Sequence, residues 1–185
     1  MTHLRKTTDK SHRKQGQIVV RRAPGKATEA ILQYGPLRLR AAIGRSGITS
    51  LKREGDGATP RAPMRLISAY RRGDRMGALA TGLPMQRIRN DTLWCDAPGH
   101  PAYNHPVSAP FAASHERLMR DDRLYDVCIV MDWNFRSRRR GCGSAIFFHI
   151  ARRDYAPTEG CVALSPADMR RLLPYLNDQT VLTVL

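Results

Sequence analysis

Ile146-Phe147-Phe148-His149-Ile150 and, after a short polar loop from Ala151 to Ala156, Pro157-Thr158-Glu159-Gly160-Cys161-Val162-Ala163-Leu164 carry the reading of this chain. Ala145 to Ile150 and Val162 to Leu164 read as strands, with a histidine ending one apolar run and a Gly-Cys opening the next. The loop between them can bring imidazole to thiol. That makes a Cys-His pair, in which the base raises the thiolate fraction of a thiol otherwise mostly protonated at neutral pH. Gly160 lacks a Cβ and permits a tight backbone, so the Gly160 and Cys161 amides can point at a developing oxyanion. Taken bare, the motif is weak: a buried structural cysteine and a histidine satisfied on a strand face are the ordinary alternatives.

The surroundings are strand-rich. Gln17 to Arg22 reads as a first strand. Leu37-Arg38-Leu39-Arg40 alternates as a half-buried strand does, Gly44-Arg45-Ser46-Gly47 is a turn, and Ile48 to Arg53 returns to form a hairpin. Met64 to Tyr70 and the apolar run Val127 to Trp133 add two strands, the second buried on both faces, and Arg136 to Arg140 is a charged turn. One helix is plain. Ser165 is a good N-cap, Pro166 suits the first turn and Asp168 favours the positive helix end. Met169, Leu172, Leu173 and Leu176 recur at helical spacing; Asn177 ends the helix and Thr180 to Leu185 makes a last strand. Gly73 to Leu118 is too long for a plain loop in a compact domain, and reads as a substrate-facing insertion with some local structure. Short strands, turn signals and one late helix predict a mainly-β domain, a sandwich or open barrel.

A chain of 185 residues suits one domain, here 17–185 behind a basic, aperiodic tail over residues 1 to about 16. The formal charge of +15 favours anionic partners, nucleic acid or anionic wall polymers among them. The first thirty residues lack the apolar stretch of a signal peptide, and no run is long enough to span a membrane. The compartment stays open. Four cysteines, Cys95, Cys128, Cys142 and Cys161, form no Cys-x-x-Cys pair, which argues against structural zinc. Cys128 lies in a core-like run, while Cys95 and Cys142 lie in polar, turn-rich segments whose pairing the sequence leaves undecided.

His149, the Gly160-Cys161 pair and the helix start Ser165-Pro166-Ala167-Asp168 resemble the catalytic block of the L,D-transpeptidases, the YkuD-type peptidoglycan cross-linking enzymes. Upstream, Lys52-Arg53-Glu54-Gly55-Asp56-Gly57-Ala58-Thr59-Pro60 resembles the Gly-x-Thr-Pro segment that precedes that block. The resemblance runs from roughly Leu37 to Leu185. The family's histidine before Gly-Cys is Glu159 here, Val162-Ala163 replaces its polar residue after the cysteine, and the His-to-Cys spacer is shorter.

The resemblance implies a YkuD-like fold. It makes Cys161 the nucleophile, His149 the general base and acid, and the Ile150 carbonyl the group that orients the imidazole. It implies no metal or organic cofactor. The substrates would be peptidoglycan stem peptides, with acyl transfer through a thioester forming cross-links; with water as acceptor the outcome is an L,D-carboxypeptidase or endopeptidase. Carbapenems, which resemble the donor's acyl group, acylate this family. Candidate substrate contacts are Thr158 and Glu159 beside the nucleophile, and Tyr103, Asn104 and His115 in the insertion. Glu159 has three readings: beside the imidazole holding a His149⁺–Cys161⁻ pair, binding an acceptor amine, or exposed on its loop. Trp94 and Trp133 read as core more readily than as stacking platforms. A different class, a basic protein binding nucleic acid or wall polymer with an inert cysteine, is supported by charge, but no nucleic-acid-binding motif accompanies it.

Overall fold

Residues 16–185 are described by a computed structural model; the expected tail, Gly16 apart, lies outside them. Strand β1 (Gln17–Arg22) buries Ile18 and Val20, while Gln17, Arg21 and Arg22 face water. It pairs antiparallel with β2 (Glu29–Tyr34), which turns through Gly35-Pro36 into β3 (Leu37–Ala42). Gly35 holds φ at +55°, a left-handed conformation that a two-residue hairpin loop needs and glycine adopts without a Cβ penalty.

This hairpin corrects the sequence reading, which paired Leu37–Arg40 with Ile48–Arg53. After the turn at Gly44–Gly47, β4 (Ile48–Thr49) runs parallel to β5 (Thr59–Pro60) instead. The reason is a close backbone approach: a Cβ on Gly44 would stand 2.3 Å from the Gly57 carbonyl oxygen. The 44–59 loop folds on itself there and does not run back along β3.

The ten-residue β6 (Pro63–Arg72) is the hub of the sheet. The insertion that follows is structured. Its β7 (Met85–Ile88) lies parallel to the end of β6, and β8 (Thr92–Cys95), β9 (His105–Ser108) and β10 (His115–Arg117) form a separate sheet with β8 in the middle. Cys95, expected in a polar turn, is thus a buried strand residue, drawn in by its neighbour Trp94. All four cysteines are free.

Strands β11 (Val127–Met131), β12 (Phe147–Ile150) and β13 (Val162–Leu164) follow. Helix α1 (Pro166–Leu172) starts at Ser165, whose Oγ accepts from the Asp168 amide at 3.1 Å. It tightens into a 3₁₀ turn at Leu173–Tyr175 and stops short of the expected Asn177. Pro174 explains this, since it has no N–H to donate and its ring crowds the carbonyl one turn back. The last strand, β14 (Val181–Val184), lies parallel to β1. The ladder runs β11-β12-β13-β3-β2-β1-β14-β6, and β6 also pairs with β11, so the mainly-β domain forms a barrel-like ring.

Period-two alternation divides the strands between two cores. Val20, Leu32, Leu66, Ile129, Phe148, Val162 and Leu182 pack inward with Met169 and Leu172 of α1. On the opposite face of β11 and β12, Cys128, Val130 and Phe147 meet Trp94, Leu118 and Tyr125 from the insertion side. Trp94 and Phe147 meet edge to face at 5.0 Å, a geometry that adds about 1 kcal/mol to the burial of two large rings.

Candidate active site

The same alternation sets the chemistry. In β12, Phe148 and Ile150 fill the barrel, while Phe147 and His149 point the other way. In β13, Val162 and Leu164 go inward, and Ala163 shares the outer face with Cys161, the residue just before the strand. β12 and β13 are parallel, with His149 opposite Ala163. Cys161 therefore lies two residues before His149's cross-strand neighbour. Both line one cavity of about 360 Å³, between the outer face of the barrel and the insertion.

His149 is 4% exposed, and its Nδ1 lies 2.9 Å from the Ile150 carbonyl oxygen. A carbonyl only accepts, so the neutral ring carries its proton on Nδ1 and keeps its lone pair on Nε2. Burial holds its pKa down at about 4, against the smaller upward pull of the Ile150 bond. The Tyr125 ring meets the imidazole edge-on at 5.3 Å and restricts its tilt.

Cys161 is 7% exposed. Its Sγ accepts from the Phe147 amide and donates to the Ala145 carbonyl, both at 3.3 Å. Burial pushes the thiol up to about 12, opposed by the Phe147 amide and the charge of Lys52. At neutral pH the resting pair is thus a neutral thiol and a neutral imidazole, and the arrangement suits deprotonation of the thiol as it attacks.

Thr158 locks the segment before the cysteine. Its Oγ donates to the Cys161 carbonyl at 2.7 Å and accepts from the Gly160 amide at 3.2 Å. Its backbone pairs with Ile43 and Arg45 on the far side. Gly160 has φ at +131°, and a Cβ there would stand 2.8 Å from the Ala58 carbonyl oxygen. Glu159 sits at the rim, 76% exposed, with its carboxylate 2.8 Å from Arg45 Nε. It is thus an ion-paired rim residue, and burial of both groups disfavours a His149⁺–Cys161⁻ pair.

The insertion residues divide differently from the reading in the sequence. Tyr103 and Asn104 are buried behind the cavity wall. Tyr103 donates to Glu54, and Asn104 accepts from Trp94 Nε1 and the Ala145 amide while donating to the Trp133 carbonyl. His115 binds the Ala113 carbonyl and packs on Phe111, outside the lining. The wall facing the Cys-His pair is built from Asp96, Glu116, Arg120 and Tyr125. Glu116, its carboxyl raised by burial, accepts from the Tyr125 hydroxyl at 2.8 Å and from Arg120 at 3.2 Å. Asp96, Arg120 and Tyr125 were missed in the sequence because the run Arg120-Asp121-Asp122 looks like a solvated turn and Tyr125 like ordinary core.

Among the described residues no cluster of three or more His, Cys, Asp or Glu is placed to hold a metal, and no helix is long and apolar enough to cross a membrane. No curated protein matches the chain significantly. Among solved structures, Mycobacterium tuberculosis L,D-transpeptidase 1 aligns at 12% identity and a TM-score of 0.39, covering 91% of this chain. The chain spans 62% of that protein. Residues 16–184 match the family model of the L,D-transpeptidase catalytic domain, and the chain therefore belongs to the YkuD family.

Proposed function

We propose that this protein is a cysteine acyltransferase acting on peptidoglycan stem peptides. The observation that carries the reading is the shared cavity of two neutral partners, the Cys161 thiol and a His149 whose Nδ1 is tied to Ile150. His149 Nε2 takes the thiol proton as Sγ adds to the carbonyl of a stem tetrapeptide, between its diaminopimelate and its terminal D-alanine. The carbonyl π pair moves to oxygen. When it returns, the C–N bond breaks, D-alanine leaves with the proton from His149, and a thioester remains on Cys161. An amine of a second stem then attacks the thioester and gives its proton to His149. Sulfur leaves and is reprotonated, and a cross-link has formed. Family membership supports peptidoglycan as the substrate. The excess of positive charge supports docking on a polyanionic wall.

The test is intact mass after incubation with a carbapenem, for native protein and Cys161→Ala. One adduct on the native protein, absent from the variant, is expected. An adduct that survives in Cys161→Ala would overturn the assignment of the nucleophile. The absence of any adduct, together with no turnover of muropeptides, would overturn the acyl-transfer reading.

A further inference from the structure

Lys52 is a cation inside the active cavity that the Cys-His chemistry above does not use. Its side chain is only 3% exposed, and it lines the same cavity as Cys161 and His149. Its stem packs on Gly143, where a Cβ would come within 2.9 Å of Lys52 Cε. Its ammonium pairs with Asp56, which is held in turn by the Arg53 amide at 2.7 Å and the Ala58 amide at 2.9 Å. An ammonium has three N–H donors, and Asp56 is the one hydrogen-bond partner found for it among the described residues. The unspent donors sit beside the nucleophile: a Cβ on Gly160 would lie 3.3 Å from Lys52 Nζ. The Gly160 amide, by contrast, is already bound by Thr158 Oγ.

We infer that Lys52 is an oxyanion donor of the Cys161 centre, supplying from its side chain the hydrogen bond that the occupied Gly160 amide does not. When Sγ adds to the substrate carbonyl, the oxygen takes the π pair and becomes negative next to the ammonium. Lys52 donates without transferring its proton, and the hydrogen bond relaxes when the C=O re-forms and the amine leaves. A fixed charge aimed at an atom that becomes charged only in the transition state lowers the barrier without tightening ground-state binding. Asp56 keeps the ammonium in place, so no reorganisation is needed as the charge develops. Glycine at position 143 leaves the room that the Lys52 stem occupies.

This inference rests on the acyl-transfer reading, and two probes separate the two. A carbapenem forms an oxyanion when it acylates Cys161. Iodoacetamide alkylates the same sulfur by displacement at carbon and forms none. The charge of Lys52 also acts on the sulfur itself, and alkylation measures that part alone. In the full-length protein, Lys52→Met is expected to slow carbapenem acylation by roughly 10²–10³-fold, the usual loss for one oxyanion donor. Cys161 alkylation should change by less than about tenfold, and Lys52→Arg should recover part of the acylation rate. Equal slowing of both reactions would assign Lys52 to the thiol or to the fold and overturn the inference, as would unchanged acylation in Lys52→Met. If Lys52→Met does not fold, Lys52→Gln, which retains an N–H donor without charge, takes its place: acylation reduced more than alkylation supports the inference, and parallel loss overturns it. Native protein that takes no acyl group from a carbapenem and turns over no muropeptide would sink the acyl-transfer reading itself, whatever the Lys52 variants do.

Discussion

His149 Nδ1 is bound to the carbonyl of the next residue, Ile150, at 2.9 Å, so the imidazole is oriented by its own strand without a carboxylate partner. Nδ1 carries the proton, Nε2 is free to accept one, and burial keeps the neutral ring favoured down to a pKa of about 4. The unfolded chain protonates this ring near the ordinary histidine value, about 6.5. Between those values the unfolded state binds more protons than the folded state, so stability rises with pH across that window. The contribution is complete above pH 6.5 and is lost as pH falls toward 4, at a cost of order 3 kcal/mol. Urea unfolding from pH 4 to 7 should show this slope in native protein, and His149→Gln should lack that component. The acylation rate should show no histidine limb near pH 6.5, and a limb there would mean that the ring is solvated.

Cys161 should react slowly with iodoacetamide at neutral pH for a cysteine beside a histidine, because burial holds its thiol at about 12. The rate should rise close to tenfold per pH unit between about 7 and 9, following the thiolate fraction. Cys128, buried in the second core, should label more slowly than Cys161, which opens on the cavity. Peptide mapping after timed labelling reads both. A pH-independent rate for Cys161 would indicate a preformed thiolate.

Gly160→Ala should unfold at lower denaturant, by about 2–4 kcal/mol. The variant forces a side chain into φ +131° and onto the Ala58 carbonyl oxygen, 2.8 Å away. The 44–59 loop would be pushed away from the cysteine, so carbapenem acylation should fall as well. Chemical denaturation and intact mass check the two effects. A stability loss under about 1 kcal/mol would mean that the loop yields freely.

Glu159→Gln should leave the pH profile of acylation and the stability nearly unchanged. Its ion pair with Arg45 is between exposed groups, and such pairs are worth from nothing to about 1 kcal/mol. A shift in the profile of more than about half a pH unit would place Glu159 next to the imidazole in solution.

Asn104→Ala should cost about 2–4 kcal/mol, although the side chain lies outside the cavity. Asn104 is the shared partner of Trp94 Nε1, the Ala145 amide and the Trp133 carbonyl, and its loss leaves these buried groups without it. Because Ala145 also presents its carbonyl to Cys161 Sγ, the acylation rate should fall too. Thermal melting and carbapenem labelling of the same sample check both.

Much of this molecule follows from local patterns. Gln17–Arg22, the apolar run starting at Val127 and the Ser165 cap with Pro166 predict their elements because alternation, burial and capping act between residues near each other in the chain. Cys161 and His149 were chosen on residue type, order and the family resemblance, and the structure sets both on one cavity. The partner of β3, the parallel setting of β12 against β13 and the place of Asp96, Arg120 and Tyr125 in the cavity wall were not legible. These depend on contacts between distant segments, such as Gly44 against the Gly57 carbonyl and the insertion folded over the outer face of the barrel. Protonation belongs to the same class. Cys161 and His149 could be chosen from the sequence, but their neutrality at rest comes from desolvation in a cavity that exists only once the barrel has closed and the insertion has packed against it.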